Sequence, residues 1–175
     1  MAKLRKMLGS ADSPYITSLM DLIETQSKIT IANWCIDYAK EYVLPIYEKV
    51  YPEDNRLQAA LNGARDWLNG KITLPMAKKL ISGGQVAARE AEENPSAQAA
   101  ARAVSQAAAT IHTSTNSLAL AFYGAAAIAY DRVGTAESAE VYDQIASEEC
   151  AKMEAALRAI AVANEPNPAK INWYC

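Results

Sequence analysis

The sequence predicts an all-α protein, one domain built as a bundle of about seven helices. Three observations predict it. Apolar residues recur at spacings of three and four from end to end, and no stretch alternates with period two for long enough to make a strand. Serine, threonine, asparagine and aspartate stand just ahead of those runs, often with a proline behind them, which is how helices begin. Of the 175 residues 51% are hydrophobic and 21% charged, a globular composition in which much of the apolar share is alanine, suited to close helix packing. A chain of this length fits a single domain, 1–175, that buries roughly two thirds of the surface its unfolded state exposes.

Residues 1–12, with Lys3, Arg5 and Lys6, read as a basic, flexible N-terminal tail. Ser13 and Pro14 then open a first helix that runs to about Gln26. Ser27 or Thr30 starts a longer one, with Ile31, Trp34, Tyr38, Tyr42 and Ile46 on one stripe. Pro45 lies inside that stripe. It has no N–H for the carbonyl of Glu41 and its ring crowds that group, so a bend is expected there, costing ~3 kcal/mol relative to alanine. Pro52 disfavours helical geometry at Tyr51 and ends the helix, and Asp54 or Asn55 caps the next. Pro45, Pro52, Asp54 and Arg56 therefore read as a structural corner. Arg56 sits where the helix dipole disfavours a cation, so a carboxylate must compensate, and Glu48, Glu53 and Asp54 are the candidates.

Leu57, Leu61, Ala64 and Leu68 stripe the following helix, which Gly70 closes with a left-handed cap. Thr73 and Pro75 begin another, running to about Glu92. Gly83 and Gly84 interrupt it, either letting a neighbouring backbone approach closely, the preferred reading, or marking a hinge. The tripeptide Glu93-Asn94-Pro95 breaks the chain ahead of a small-residue helix with Ala97, Ala100, Val104, Ala108 and Ile111 in line. After a polar turn at 113–117, the stretch from Leu118 to Arg132 is apolar nearly all round, so it is expected to be the central helix. Gly134 ends it and Thr135 is expected to cap the last helix, striped by Ala139, Tyr142, Ala146, Cys150, Met153, Leu157 and Ile160. The tail at 165–175 holds two prolines and is not helical, yet Ile171, Trp173 and Tyr174 predict that it docks.

Several function classes are excluded or disfavoured. A formal net charge of -3 provides no global field for a polyanion, so nucleic acid is not the expected partner. The apolar run at 118–130 falls short of the ~20 residues of a membrane span, and the N-terminus carries no signal-peptide pattern. Cys35, Cys150 and Cys175 are odd in number and far apart, which argues against a disulfide framework and for a reducing, cytoplasmic setting. No phosphate loop, nucleophile elbow, dinucleotide fingerprint or cysteine pair is present, so no cofactor, no metal and no catalytic residue is assigned.

Two groups of residues remain to be weighed. His112 has no glutamate three or four positions away to make a metal pair, and a histidine at a helix C-terminus suits the dipole without any further role. Asp37, Glu41 and Glu48, with Lys40 and Lys49 beside them, look like a solvated face. With Glu53 and Asp54 they would also make a negative patch for a basic partner. Glu92 and Glu93 end a helix, where negative charge opposes the dipole, and so point weakly to a surface role that Arg89 could offset.

One stretch carries a resemblance. Trp34, then Leu44, Pro45, Tyr47 and Glu48, then Pro52, Asp54 and Arg56, then Ala60, Ala64, Arg65 and Trp67 resemble the pattern of an immunity-five-like family of bacterial immunity proteins. The segments "VAAREA" and "AAATIH" extend the likeness to about residues 30–130. The resemblance implies a small cytosolic helical protein that neutralises a cognate protein toxin by direct contact, through Asp37, Glu41, Glu48, Glu53, Asp54, Glu92 and Glu93 if the acidic surface is the interface. It would also place histidines near Gln85 and Asn116, where this sequence has none. The alternatives are a structural or adaptor bundle that forms a homo-oligomer or scaffolds another protein and, more weakly, a metal protein or enzyme built on His112.

Overall fold

The structure is a computed structural model and describes residues 3–173. Its elements are α1 (Pro14–Glu24), α2 (Lys28–Tyr38), a π-helical turn (Ala39–Val43), α3 (Leu44–Glu48), α4 (Arg56–Leu68), α5 (Leu74–Glu90), α6 (Pro95–Ala109), α7 (Asn116–Val133) and α8 (Ala139–Ile160). Because α2, the π turn and α3 follow one another without a break, the described residues form seven helical rods and no strand. No helix among them is long and apolar enough to cross a membrane.

Local chemistry accounts for most of the boundaries. Ser27 accepts the Thr30 N–H at 3.2 Å, Thr73 that of Met76 at 3.4 Å, Asn94 that of Ala97 at 3.2 Å and Ser138 that of Val141 at 3.3 Å. Each such cap stabilises its helix by about 1 kcal/mol. Gly70 adopts φ +72° after α4, the left-handed geometry glycine takes without strain. Ser13 stands at the start of α1, but its Oγ accepts the Ser10 N–H at 3.1 Å instead of a helical one. The cap of α8 is Ser138, not Thr135. Tyr142 holds the α7–α8 connection, donating to the Gly134 carbonyl at 2.8 Å and accepting the Glu137 N–H at 3.1 Å, and this lengthens the link by three residues.

Pro45 produces its bend one turn upstream of where it sits. The Leu44 N–H reaches the Ala39 carbonyl, five residues back, and the chain widens into the π turn before α3 starts with Pro45 in its first turn. A π turn takes one extra residue, so the side chains beyond it fall about 100° out of the α-helical register. Tyr42, expected on the buried stripe, is therefore 40% exposed, while Val43 and Tyr47 point inward.

The central helix is α6, not α7. It packs against α2, the π turn, α3, α4, α5 and α7, and ten of its residues are buried, most of them alanines. Alanine scores as only weakly apolar, so this stretch did not stand out, but its small side chain lets neighbours close in on every side. The same economy governs α5. A Cβ on Gly84 would lie 2.7 Å from Ser105 Oγ and 3.1 Å from Leu57 Cδ2, whereas one on Gly83 would meet nothing within 4 Å. Close approach, not a hinge, explains Gly84.

The described residues at either side of the helices lie along the bundle. Leu8 is fully buried and its N–H bonds the Phe122 carbonyl at 3.2 Å, and Arg5 pairs with Asp143 at 3.1 Å. At the other end Ala169 N–H bonds the Gln26 carbonyl at 2.8 Å, Ile171 and Trp173 pack against the core, and the Trp173 indole N–H donates to Glu24. In the structure the tail thus lies against the end of α1 and the Gln26 backbone just beyond it, in the same chain. Tyr174 and Cys175 lie outside the described residues.

Candidate functional site

The corner is an ion-pair network centred on Asp54. Arg56 donates to it twice from its guanidinium, Nε to Oδ1 at 2.9 Å and Nη2 to Oδ2 at 2.7 Å, and once from its backbone N–H at 3.1 Å. Tyr47, 1% exposed, donates its hydroxyl to Oδ2 at 2.5 Å. These donors, the Arg56 side chain first, hold the Asp54 carboxyl well below the usual carboxylate range, and burial followed by the bond to Asp54 pushes the Tyr47 phenol up. Of the three carboxylates expected to compensate Arg56, Asp54 does so, while Glu48 and Glu53 do not. The second partner is Glu90 at the end of α5, 2.7 Å from Arg56 Nη2, a residue the sequence reading missed because it lies 34 positions away. Asp54, not Asn55, satisfies the start of α4.

The other acidic residues fall in separate places. Asp37 pairs with Arg65, which also donates to Asn33. Glu41 is exposed on the π turn, Glu48 is half-buried beside the corner, Glu53 is exposed within it, and Glu92 and Glu93 are exposed on the α5–α6 turn. None of these five makes an ion pair or side-chain hydrogen bond among the described residues. The Arg56–Glu90 contact ties the corner to the end of α5. Glu92 shares a surface depression with Lys3, Arg5 and Lys6.

A second feature was not legible in the sequence. Between the π turn, α7 and α8 lies a cleft of about 380 Å³, within the size range of ordinary ligand pockets. Glu41, Tyr42, Pro45 and Lys49 form one wall, Asp131 and Arg132 another, Glu149 and Lys152 the third. Lys49 pairs with Asp131 at 2.5 Å, and Arg132 donates to Glu149 Oε1 at 3.0 Å. Glu149 is 1% exposed, and its other oxygen, Oε2, has no hydrogen bond; Lys152 Nζ stands 3.5 Å from it. The Tyr38 hydroxyl, also buried, has none either, and burial together with the nearby Glu149 charge pushes its phenol up. Leaving such a group unpaired costs about 1–3 kcal/mol. A smaller depression of about 130 Å³ continues past Tyr42, lined by Trp34, Tyr38 and Ile160. A larger one of about 600 Å³ lies between α1 and the C-terminal segment, but Gln26 on its wall is already satisfied by both backbone groups of Val162.

His112 is exposed, its Nδ1 2.8 Å from Thr113 Oγ1. Burial of the ring and the neighbouring Lys78 lower its pKa, so the charge beside it is a cation and not a carboxylate. No three His, Cys, Asp or Glu side chains among the described residues converge to hold a metal ion.

The described residues thus define an all-α protein, a seven-rod helical bundle with a charged cleft and unpaired surface carboxylates. The chain belongs to the family described as Imm-5 like putative immunity protein, whose family model matches residues 21–156. No curated protein and no solved structure matches it. The residues that carried the resemblance are the scaffold of α2, α3 and α4. Trp34 donates its indole N–H to the Met153 carbonyl at 3.0 Å, Ala60 and Ala64 are buried, and Pro45, Tyr47, Asp54 and Arg56 build the corner.

Proposed function

We propose that this chain neutralises a cognate protein toxin by direct protein–protein contact and carries out no chemistry of its own. The observation that carries the reading is membership of the immunity-protein family over residues 21–156. The surface supports it: Glu41, Glu48, Glu53, Glu92 and Glu93 have no internal partner, so they are available to a basic surface. Asp37 and Asp54 already hold Arg65 and Arg56. They would support such an interface from within. Charges at the rim of an interface mainly set association rate and salt dependence.

Co-expression with each protein encoded by a neighbouring gene tests the reading. Restored growth and a stoichiometric complex on size exclusion are expected. Charge reversal at Glu53, Glu92 and Glu93 together is expected to slow association and flatten its salt dependence. Failure to protect against any neighbouring toxin would overturn the proposal. The rival reading, a self-associating or scaffolding adaptor, rests on the alanine stripes and the aromatic tail, and within that tail Trp173 bonds Glu24 of α1 and Ala169 bonds Gln26 just beyond it, both in the same chain.

A further inference from the structure

We infer that the cleft beside the π turn seats a basic side chain of the bound partner, an arginine or a lysine, with Glu149 Oε2 as its acceptor and the Tyr42 ring as its wall. The inference rests on the proposed function for the identity of the partner, but its chemistry stands on this chain alone.

Glu149 is the first ground. Its side chain is 1% exposed and belongs to the cleft lining, Arg132 engages only Oε1, and the buried Oε2 has no hydrogen bond and only the Lys152 ammonium, at 3.5 Å, as its ion-pair partner. That oxygen is charge-paired but not hydrogen-bonded, so a better-aimed N–H donor would complete it, and the buried Tyr38 hydroxyl beside it has no hydrogen bond either. Lys152 is the second ground. Its Nζ lies 4.9 Å from the centre of the Tyr42 ring and 3.5 Å from Oε2, so a cation already fits between the ring and the carboxylate. That ammonium is held from the same helix, three residues on, and its side chain is 52% exposed. Such contacts are weak, and Lys152 is free to swing into solvent when a better-aimed cation enters. The exchange is one cation for another and leaves the charge of the cleft unchanged.

The backbone explains why the ring is there. Pro45 forces the π turn, and the π turn swings Tyr42 from the core to the mouth of the cleft, where its face can receive a cation. Glu41, on the same turn and without an ion pair, adds negative charge at the entrance. The carboxylates do not converge as a metal site would. The depression on the far side of Tyr42, with Trp34 and Ile160, extends the surface beyond a single side chain, as contact with a protein requires and a small free cation does not.

The test is a titration of the full chain with N-acetyl-L-arginine amide, followed by amide chemical shifts, with N-acetyl-L-glutamine amide as the uncharged control. Shifts at Tyr42, Ile128, Glu149 and Lys152 with the arginine probe alone are expected. Lys152→Ala removes the internal competitor and is expected to tighten binding roughly three- to tenfold, Tyr42→Leu to weaken it by a similar factor. Glu149→Gln is expected to abolish it; should that variant not fold, the other two decide. No perturbation at the cleft in either wild type or Lys152→Ala, equal shifts with the glutamine probe, or weaker binding after Lys152→Ala would overturn the inference. Toxin binding indifferent to Lys152→Ala and Tyr42→Leu would overturn the assignment to a partner side chain. Probe binding without toxin protection would sink the functional reading alone, whereas protection without probe binding would sink this one alone.

Discussion

Replacing Asp54 with alanine removes the common acceptor of four donors, and the size of the effect can be assembled from the geometry. The Arg56 backbone N–H loses its cap, worth about 1 kcal/mol. The Tyr47 hydroxyl, on a residue 1% exposed, is left unpaired, at about 1–3 kcal/mol. The two guanidinium bonds add only about 0.5–1 kcal/mol, since the Arg56 side chain is 36% exposed. Partial relaxation overlaps these terms, giving an expected loss of about 2–4 kcal/mol. Arg56→Ala spares the Tyr47 bond and should cost about 1–2 kcal/mol, while Glu90→Ala, at a side chain 61% exposed, should cost less than about 0.5 kcal/mol. Urea unfolding followed by far-UV circular dichroism measures all three, and a cycle pairing Asp54→Ala with Tyr47→Phe should show coupling of about 1–2 kcal/mol. Because Asp54 is held below its ordinary value of 3.8, its contribution is complete above that pH and declines as pH falls towards the folded value. The advantage of wild type over Asp54→Asn should therefore shrink on acidification and not on alkalinisation. Asp54→Ala and Glu90→Ala within about 0.5 kcal/mol of each other, or an inverted order, would refute the reasoning.

Gly84→Ala should destabilise the protein by about 1–3 kcal/mol through its clash with Ser105 and Leu57, while Gly83→Ala, one residue earlier and in open space, should stabilise it by about 0.5–1 kcal/mol; thermal melts of the pair separate packing from helix propensity. Cys35 and Cys150 are buried, and burial raises both thiols, Cys150 to about 12, so neither should take up iodoacetamide at pH 8 in the native protein, as peptide mapping would show. Deleting residues 165–175 should lower stability by about 1–2 kcal/mol, because the Ala169 bond to Gln26 and the Trp173 contact are lost, and should leave the mass by light scattering that of the truncated chain alone.

The sequence by itself determined the number of helices and nearly all their limits, because those signals are complete within a few residues. Ser27 and Thr73 each cap an N–H three positions on, Gly70 closes α4, and Pro52 bars helical geometry at its own neighbour. Asp54 stands among the three carboxylates expected for Arg56 for the same reason, being two residues away. The misplaced cap of α8 shows the limit even of local signals, since Thr135 is expected and Ser138 takes the role once Tyr142 folds back on Gly134.

Tertiary structure alone decided the rest. Glu90 meets Arg56 only because α4 and α5 pack side by side. The alanine helix α6 becomes the centre only because other helices exist to surround it. Tyr42 leaves the core because the missing Pro45 donor is absorbed as a π turn, whose outward rotation depends on what presses on the other side. The cleft needs Pro45, Arg132 and Glu149 from three helices at once, and in the sequence Glu149 is one unremarked glutamate among many. Capping and helix propensity act over one turn of backbone, whereas burial and charge pairing depend on which distant surfaces exclude water together. For that reason the helices were readable from the chain, and the site was readable only from the fold.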